Sequence, residues 1–178
     1  GAVIRLLNRF VRPEEVIGVE LNPLHIRIAR RFFGIGRRQA GLVHADAVKW
    51  VREYRGPAFD MIVDDIFGEE SGEPKRAVTA DRHWCSRLRS LLSPGGVLVM
   101  NFATRAELDS CACIHDPVVR KKFGSAFRLN KPQYENTIAA FLTGTSTSRQ
   151  LRRNLAREPG LNPGIKRNRL DYRIRRIG

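Results

Sequence analysis

The chain has 178 residues, 42% of them hydrophobic, which is enough to bury a core in one domain. No apolar run approaches the roughly 20 residues that cross a bilayer and no signal peptide is visible, so we expect no membrane segment and a cytoplasmic protein. The net charge is +14 and very uneven, because ten basic against two acidic residues place +8 of it after residue 144.

Apolar strands alternate with amphipathic helices along most of the chain. In order, the patterns predict a helix over 2–11, a strand over 16–20, a helix from 23, a strand over 40–46, a helix over 47–54, a strand over 59–67, a polar loop over 68–76, a helix capped by Thr79, a strand over 97–103, a helix from 105, and strands over 126–134 and 137–143. Such alternation implies a parallel sheet covered by helices on both faces, here with an antiparallel pair at its end.

Residues 145–178 show no periodic apolar pattern and contain helix-breaking prolines and glycines. We therefore expect two parts, an α/β domain over 1–144 and a basic, mostly exposed extension over 145–178. The arginines of the extension suit phosphate binding without sequence preference. A solvated tail that aids solubility is the alternative.

Acidic residues follow three successive strands directly. They are Glu20, Asp46 and the pair Asp64 and Asp65. Because carboxyl ends of parallel strands meet at one edge, these acids are expected to converge on one ligand site. Carboxylates accept hydrogen bonds from ribose hydroxyls and from an adenine amine, whereas they repel phosphate, so a nucleoside fits best. The alternative is a set of plain strand–helix units with solvated acids.

The three cysteines, Cys85, Cys111 and Cys113, are expected to be reduced thiols. The pair Cys111 and Cys113 leaves a metal or redox site open as an alternative. The four histidines lack partners at ligand spacing, so the sequence predicts no metal site.

Several segments together resemble the spermidine synthase-like branch of the class I S-adenosylmethionine-dependent methyltransferases. The segments that carry the resemblance are residues 19–23 (VELNP), 29–33 (ARRFF), 44–47 (HADA), 59–65 (FDMIVDD) and 92–101 (LSPGGVLVMN), with Asn136 before the last strand. The resemblance spans residues 1 to about 142. It implies a Rossmann-like, mostly parallel sheet with an antiparallel last strand.

The resemblance also implies roles for single residues. Glu20 would hold the ribose hydroxyls, Asp46 with the backbone of Ala47 would hold the adenine, and Asp64 would lie beside the sulfonium. Gly1 would be the last glycine of the family's glycine-rich motif, 19 residues before the acid. The implied cofactor-binding residues are Gly1, Glu20, Leu21, Asp46, Ala47 and Asp64. The implied cofactor is S-adenosylmethionine or its decarboxylated form, without a metal.

The chain departs from the family pattern in two ways. The family's first strand would precede Gly1, so we expect this chain to be a fragment that lacks that strand and is inactive alone. The aminopropyl transferases of the family carry a second aspartate three residues after the first, where this chain has Phe67. Methyl transfer is therefore favoured over aminopropyl transfer and polyamine biosynthesis, with Asp64 and Asp65 as the candidate catalytic residues.

Three functions remain open at the level of sequence. The first is a transferase that acts on an unidentified small-molecule acceptor, with a homodimer as one of its open states of assembly. The second is a nucleic-acid-binding or RNA-directed methyltransferase module that uses the basic extension. The third is a non-catalytic domain that keeps the fold but has lost the reaction.

Overall fold

A computed structural model describes residues 1–70, 72–168 and 170–177, with the backbone alone at 69, 70, 73 and 74. Ser71 in the predicted loop, and Arg169 and Gly178 in the predicted extension, lie outside the described residues. The chain divides into two compact units, Gly1–Arg55 and Gly56–Gly178. No helix in the described part is long and apolar enough to cross a membrane.

The first unit contains two parallel strands and three helices. Its elements are α1 (Ala2–Phe10), β1 (Ile17–Glu20), α2 (Pro23–Phe33), β2 (Gly41–His44) and α3 (Ala47–Glu53). The pairing runs from Ile17 opposite Gly41 to Glu20 opposite His44. Within the described residues, β2 is the only strand that pairs with β1. The small core of this unit consists of Ala29, Ile35 and Ala40, and the partly buried side chains of Ile4, Val16, Phe33 and Leu42 pack against it.

The second unit contains the remaining strands and helices. They are β3 (Phe59–Asp64), β4 (Phe67–Glu70), β5 (Glu73–Arg76), α4 (Arg82–Ser90), β6 (Leu92–Phe102), α5 (Arg105–Asp109), α6 (Ala112–His115), α7 (Pro117–Arg120), β7 (Ser125–Asn130), β8 (Thr137–Leu142), α8 (Ser148–Arg157), a 3₁₀ helix (Lys166–Asn168) and β9 (Arg173–Arg176). The main sheet has the order β3-β6-β8-β7-β9.

The predicted α/β class is confirmed, with parallel pairing where strands alternate with helices and antiparallel pairing at the end. Strands β3 and β6 are parallel, as are β1 and β2, whereas β8 runs antiparallel to β6 and to β7. The core of the sheet consists of fully buried side chains on its central strands, namely Leu98, Met100, Phe102, Phe127 and Phe141.

The C-terminal extension, expected to be basic and mostly exposed, adds one strand to the main sheet. Strand β9 adds antiparallel to β7, and its Ile174 is 4% exposed. Helix α8 contacts β9, and Nη2 of Arg152 donates to the carbonyl of Ile174 at 2.8 Å. One apolar residue among arginines gives no periodic signal, which is why the pattern missed β9. The division into a domain over 1–144 and an extension over 145–178 stays a prediction.

Two local predictions were wrong. The stretch expected as a polar loop over 68–76 forms most of an antiparallel hairpin of β4 and β5. Helix α4 is capped by Asp81, whose carboxylate accepts from the backbone N–H of Trp84 at 2.8 Å, and not by Thr79. Aspartate caps at least as well as threonine, and the cap belongs where the side chain reaches the third helical N–H.

Candidate functional site

Two carboxylates lie at the same edge of the β1–β2 sheet. Glu20 is the last residue of β1 and pairs with His44, the last residue of β2, and Asp46 follows two residues later. The Glu20 side chain is 38% exposed, and Asp46 is exposed as well. The parallel register therefore brings together two of the predicted site residues, because it ends both strands at one level.

The carboxylate of Glu20 makes contacts within its own turn. Its Oε1 atom accepts from the backbone N–H of Asn22 at 2.8 Å and lies 3.4 Å from Nδ1 of His25. These contacts point the carboxylate across the start of α2. A negative charge in this position also interacts favourably with the positive N-terminal end of the helix dipole.

Asp46 is the N-cap residue of α3. Its Oδ1 atom accepts from the backbone N–H groups of Val48 at 2.7 Å and Lys49 at 3.1 Å. This capping stabilises α3 by about 1 kcal/mol independently of any ligand. A change at Asp46 must therefore keep the cap if it is to report on binding.

The remaining predicted cofactor residues of the first unit lie beside these carboxylates or at the start of α1. Leu21 follows Glu20 and is 67% exposed, and its carbonyl oxygen lies 2.9 Å from Nε2 of His44. Ala47 opens α3 directly after Asp46. Gly1 precedes α1, where a Cβ would lie 2.6 Å from Cγ of Phe33, so only glycine fits that contact without a shift.

Asp64 is the last residue of β3, three residues before the predicted end of this strand, and its carboxylate is buried. The residue is 3% exposed, and Oδ2 accepts from Nη2 of Arg76 at 2.8 Å and from Nε1 of Trp84 at 2.9 Å. These two hydrogen bonds, one of them from the charged Arg76, compensate for the free energy that it costs to remove this carboxylate from water. In this structure Asp64 therefore contacts protein groups rather than solvent.

Arg76 is the residue at this strand end that the sequence did not indicate. Its Nη1 atom donates to the carbonyl of Asn101 at 2.7 Å, its Nε atom lies 3.7 Å from Oε1 of Glu107, and its guanidinium lies over the ring of Phe102. It thus connects β5 with β3, β6 and α5. A single arginine in a polar stretch carries no signal of burial.

Asp65 differs from its neighbour, because it is exposed and held by an amide. Nδ2 of Asn101 donates to Oδ1 of Asp65 at 2.9 Å, and Nδ2 of Asn136 donates to Oδ1 of Asn101 at 3.1 Å. This chain of hydrogen bonds orients an accessible carboxylate at the ends of β3 and β6. Both asparagines belong to the segments that carry the family resemblance, although neither was predicted as a site residue.

The structure thus gives two separate groups of predicted residues, one in each unit. Glu20, Leu21, Asp46 and Ala47 share an edge of the β1–β2 sheet, and Asp64 and Asp65 end β3 in the second unit. The convergence of both groups on one ligand stays a prediction.

Solved structures resemble this fold at low sequence identity. A probable spermidine synthase from Corynebacterium glutamicum matches with a TM-score of 0.65 and 20% identity, covering 86% of this chain and 58% of that chain. A spermidine synthase in complex with the transition state analogue AdoDATO matches with a TM-score of 0.62 and 16% identity, covering 89% and 55%. A methyltransferase from Pyrococcus furiosus matches with a TM-score of 0.52 and 15% identity, covering 80% and 69%.

These likenesses confirm the spermidine synthase-like, Rossmann-like methyltransferase fold that the sequence predicted. The chain spans between half and three fifths of the length of the two spermidine synthases. No family model and no curated protein sequence matches the chain.

Proposed function

We propose that this chain carries the donor-binding part of an S-adenosylmethionine-dependent transferase of the spermidine synthase-like kind. The observation that carries the proposal is the parallel register of β1 and β2, which places Glu20, the last residue of β1, and Asp46, two residues after the end of β2, at one edge of the sheet. In sheets of this type, ligands bind outside the carboxyl ends of the strands. The fold supports this assignment, since a spermidine synthase of the same fold was solved with AdoDATO.

Each of the two carboxylates binds a different part of an adenosine. Glu20 accepts hydrogen bonds from the two ribose hydroxyls, in the orientation set by its contacts with Asn22 and His25. Asp46 accepts from the adenine amine through the oxygen that does not cap α3. The backbone of Leu21 and Ala47 lies beside these groups and completes the binding edge.

In the second unit, Asp65 is the better placed of the two candidate catalytic aspartates. It is exposed and oriented by Asn101, whereas Asp64 is buried against Arg76 and Trp84. We assign to Asp65 the orientation or deprotonation of the acceptor, and to Asp64 the positioning of the strand end beside the sulfonium. An aligned carboxylate base typically contributes 10²–10⁴-fold to a rate.

Methyl transfer remains favoured over aminopropyl transfer because Phe67 occupies the position of the second aspartate. The phenyl ring there supplies no carboxylate that could hold and deprotonate a cationic amine. Incubation of the full-length protein with S-adenosylmethionine and with its decarboxylated form, each with a panel of amine and hydroxyl acceptors, tests this choice. Transfer from the decarboxylated donor alone would overturn it.

Donor binding tests the proposal directly. Glu20→Gln is expected to weaken S-adenosylhomocysteine binding, measured by calorimetry, by roughly 10- to 150-fold, because a charged hydrogen bond contributes about 1.5–3 kcal/mol. Glu15→Gln, an exposed change in the same unit, is the matched control and should leave the Kd unchanged. Equal Kd values for the two variants would contradict the proposal. Absence of binding by the parent chain and by both variants would also contradict it and would favour a non-catalytic domain.

The ordered extension supports a second candidate, an RNA-directed enzyme. Exposed arginines lie on α8 and on the edge strand β9, namely Arg149, Arg152, Arg153, Arg157, Arg173, Arg175 and Arg176. Replacing Arg149, Arg153 and Arg157 by Glu should weaken RNA retention and reduce the slope of log affinity against log salt concentration by about 0.7 per lost phosphate contact. Replacing Arg27, Arg30 and Arg31 on α2 by Glu is the control, and equal loss in both variants would indicate net charge alone.

A further inference from the structure

Three cysteine thiols meet inside the second unit. Cys85 lies on α4, Cys111 is the N-cap residue of α6, and Cys113 is the second residue of α6. Their Sγ atoms all lie within 4.8 Å of one another, and those of Cys85 and Cys111 are 3.9 Å apart. All three residues are free thiols with exposures of 2% or less. The sequence had placed only Cys111 and Cys113 together.

Burial alone would not indicate a ligand, since free cysteine is among the most often buried residue types. The arrangement is more specific than burial. Three thiolates around one ion at about 2.3 Å, in a plane, lie about 4.0 Å from each other. The pair Cys85 and Cys111 already has this separation, and the other separations need to shorten by less than 1 Å.

Hydrogen bonds to the backbone carbonyl of Ala80 join the two segments that carry the thiols. The N–H of Ala112 donates to the carbonyl of Ala80 at 2.9 Å, which ties α6 to the segment before α4. The same carbonyl accepts the thiol of Cys85 at 3.4 Å. Two elements distant in sequence are thus joined next to the sulfur atoms, so the cluster is largely pre-organised.

We propose that this cluster, Cys85, Cys111 and Cys113, is a three-sulfur site for one soft closed-shell cation of the Cu(I) type. Thiolate ligands select soft ions such as Cu(I) and Zn(II). Zinc in a closed structural site takes four ligands, whereas the described His, Cys, Asp and Glu residues supply only these three to the group. The site goes beyond the sequence-based expectation of no metal and is independent of the proposed transferase activity.

The full chain is loaded for the test during refolding under anaerobic, reducing conditions, because the buried thiols are closed to direct entry. Cu(I) is supplied as its complex with bathocuproine disulfonate, which reports transfer by its colour. We expect one Cu(I) per chain, and X-ray absorption of the unmodified protein should show three sulfur ligands at about 2.3 Å. Zn(II) in equimolar amount should not displace the Cu(I).

Cys113→Ser removes one ligand. Loss of a residue that only hydrogen-bonds a metal ligand typically weakens metal binding by about 10–100-fold, so loss of a ligand should weaken Cu(I) binding by at least that factor. Met100→Leu removes a buried sulfur of the same unit outside the cluster and should leave binding unchanged. The proposal would be overturned if the unmodified protein bound no Cu(I) or showed fewer than three sulfur ligands. It would also be overturned if Zn(II) displaced the Cu(I) or if the two variants bound Cu(I) with equal affinity.

Discussion

Nη2 of Arg76 lies 2.8 Å from Oδ2 of Asp64, and both side chains are at most 2% exposed. The pair joins the second strand of the β4–β5 hairpin to the end of β3. It also explains why an aspartate at a predicted ligand edge is closed to solvent. Buried ion pairs of this kind contribute little net stability, but removing one partner leaves an uncompensated charge.

Arg76→Met is therefore expected to lower the free energy of unfolding by about 3–5 kcal/mol, because it leaves the Asp64 carboxylate buried without its charged partner. Urea denaturation measures the effect. The double change Asp64→Leu with Arg76→Met should recover most of this loss. Arg105→Met is the control, since its pair with Asp109 is about half exposed and contributes at most about 1 kcal/mol.

A loss below 1 kcal/mol in Arg76→Met, or a double variant as unstable as the single one, would show that the pair does not hold the hairpin.

The sequence predicted where strands end better than it predicted what surrounds those ends. Glu20 is the last residue of β1, where the sequence predicted the strand to end, and Asp64 is the last residue of β3, three residues before the predicted end. The burial of Asp64 was not predictable, since it depends on Arg76, twelve residues further along in a polar stretch. Cys85 was likewise missed as a neighbour of Cys111, because only tertiary packing brings α4 to α6.

Gly124 and Gly144 give a matched pair of substitutions. A Cβ at Gly124 would lie 2.8 Å from the backbone carbonyl of Gly144, whereas a Cβ at Gly144 meets nothing within 4 Å. Gly124→Ala should therefore destabilise the protein by about 1–3 kcal/mol, as overpacking does. Gly144→Ala should be neutral or slightly stabilising in thermal unfolding. Equal effects would contradict the close approach of these two backbone segments.

Ile174 tests whether the C-terminal extension is part of the fold. Ile174→Ala removes a buried side chain of β9 and should cost about 2–5 kcal/mol in chemical denaturation. Arg175→Ala, an exposed change on the same strand, should stay within about 0.5 kcal/mol. If both variants unfold like the parent chain, β9 does not pair with β7 in solution.

Asp116 gives a prediction about acid stability. Burial raises the pKa of its carboxyl group, but hydrogen bonds from Arg82, Val119 and Val118 lower the pKa by more, so the net shift is downward. Because the folded pKa lies below the unfolded one, the carboxylate stabilises the fold above about pH 3.9, and this contribution is lost as the pH falls through the folded value.

Asp116→Asn keeps an N-cap for α7 but removes the charge that pairs with Arg82. The parent chain should therefore exceed this variant in urea midpoint at pH 7, and the difference should shrink below pH 4. A difference that does not change between pH 7 and pH 3 would show that the carboxylate charge contributes nothing to the folded state.

The central claim is that the carboxylate of Glu20 holds the ribose hydroxyls of an adenosyl donor. Calorimetric binding of S-adenosylhomocysteine and of its 2′-deoxy analogue, each to the parent chain and to Glu20→Gln, isolates that contact as a coupling free energy. We predict that loss of the 2′-hydroxyl weakens binding to the parent chain by about tenfold or more and barely affects the variant. The same loss in both proteins would contradict the claim.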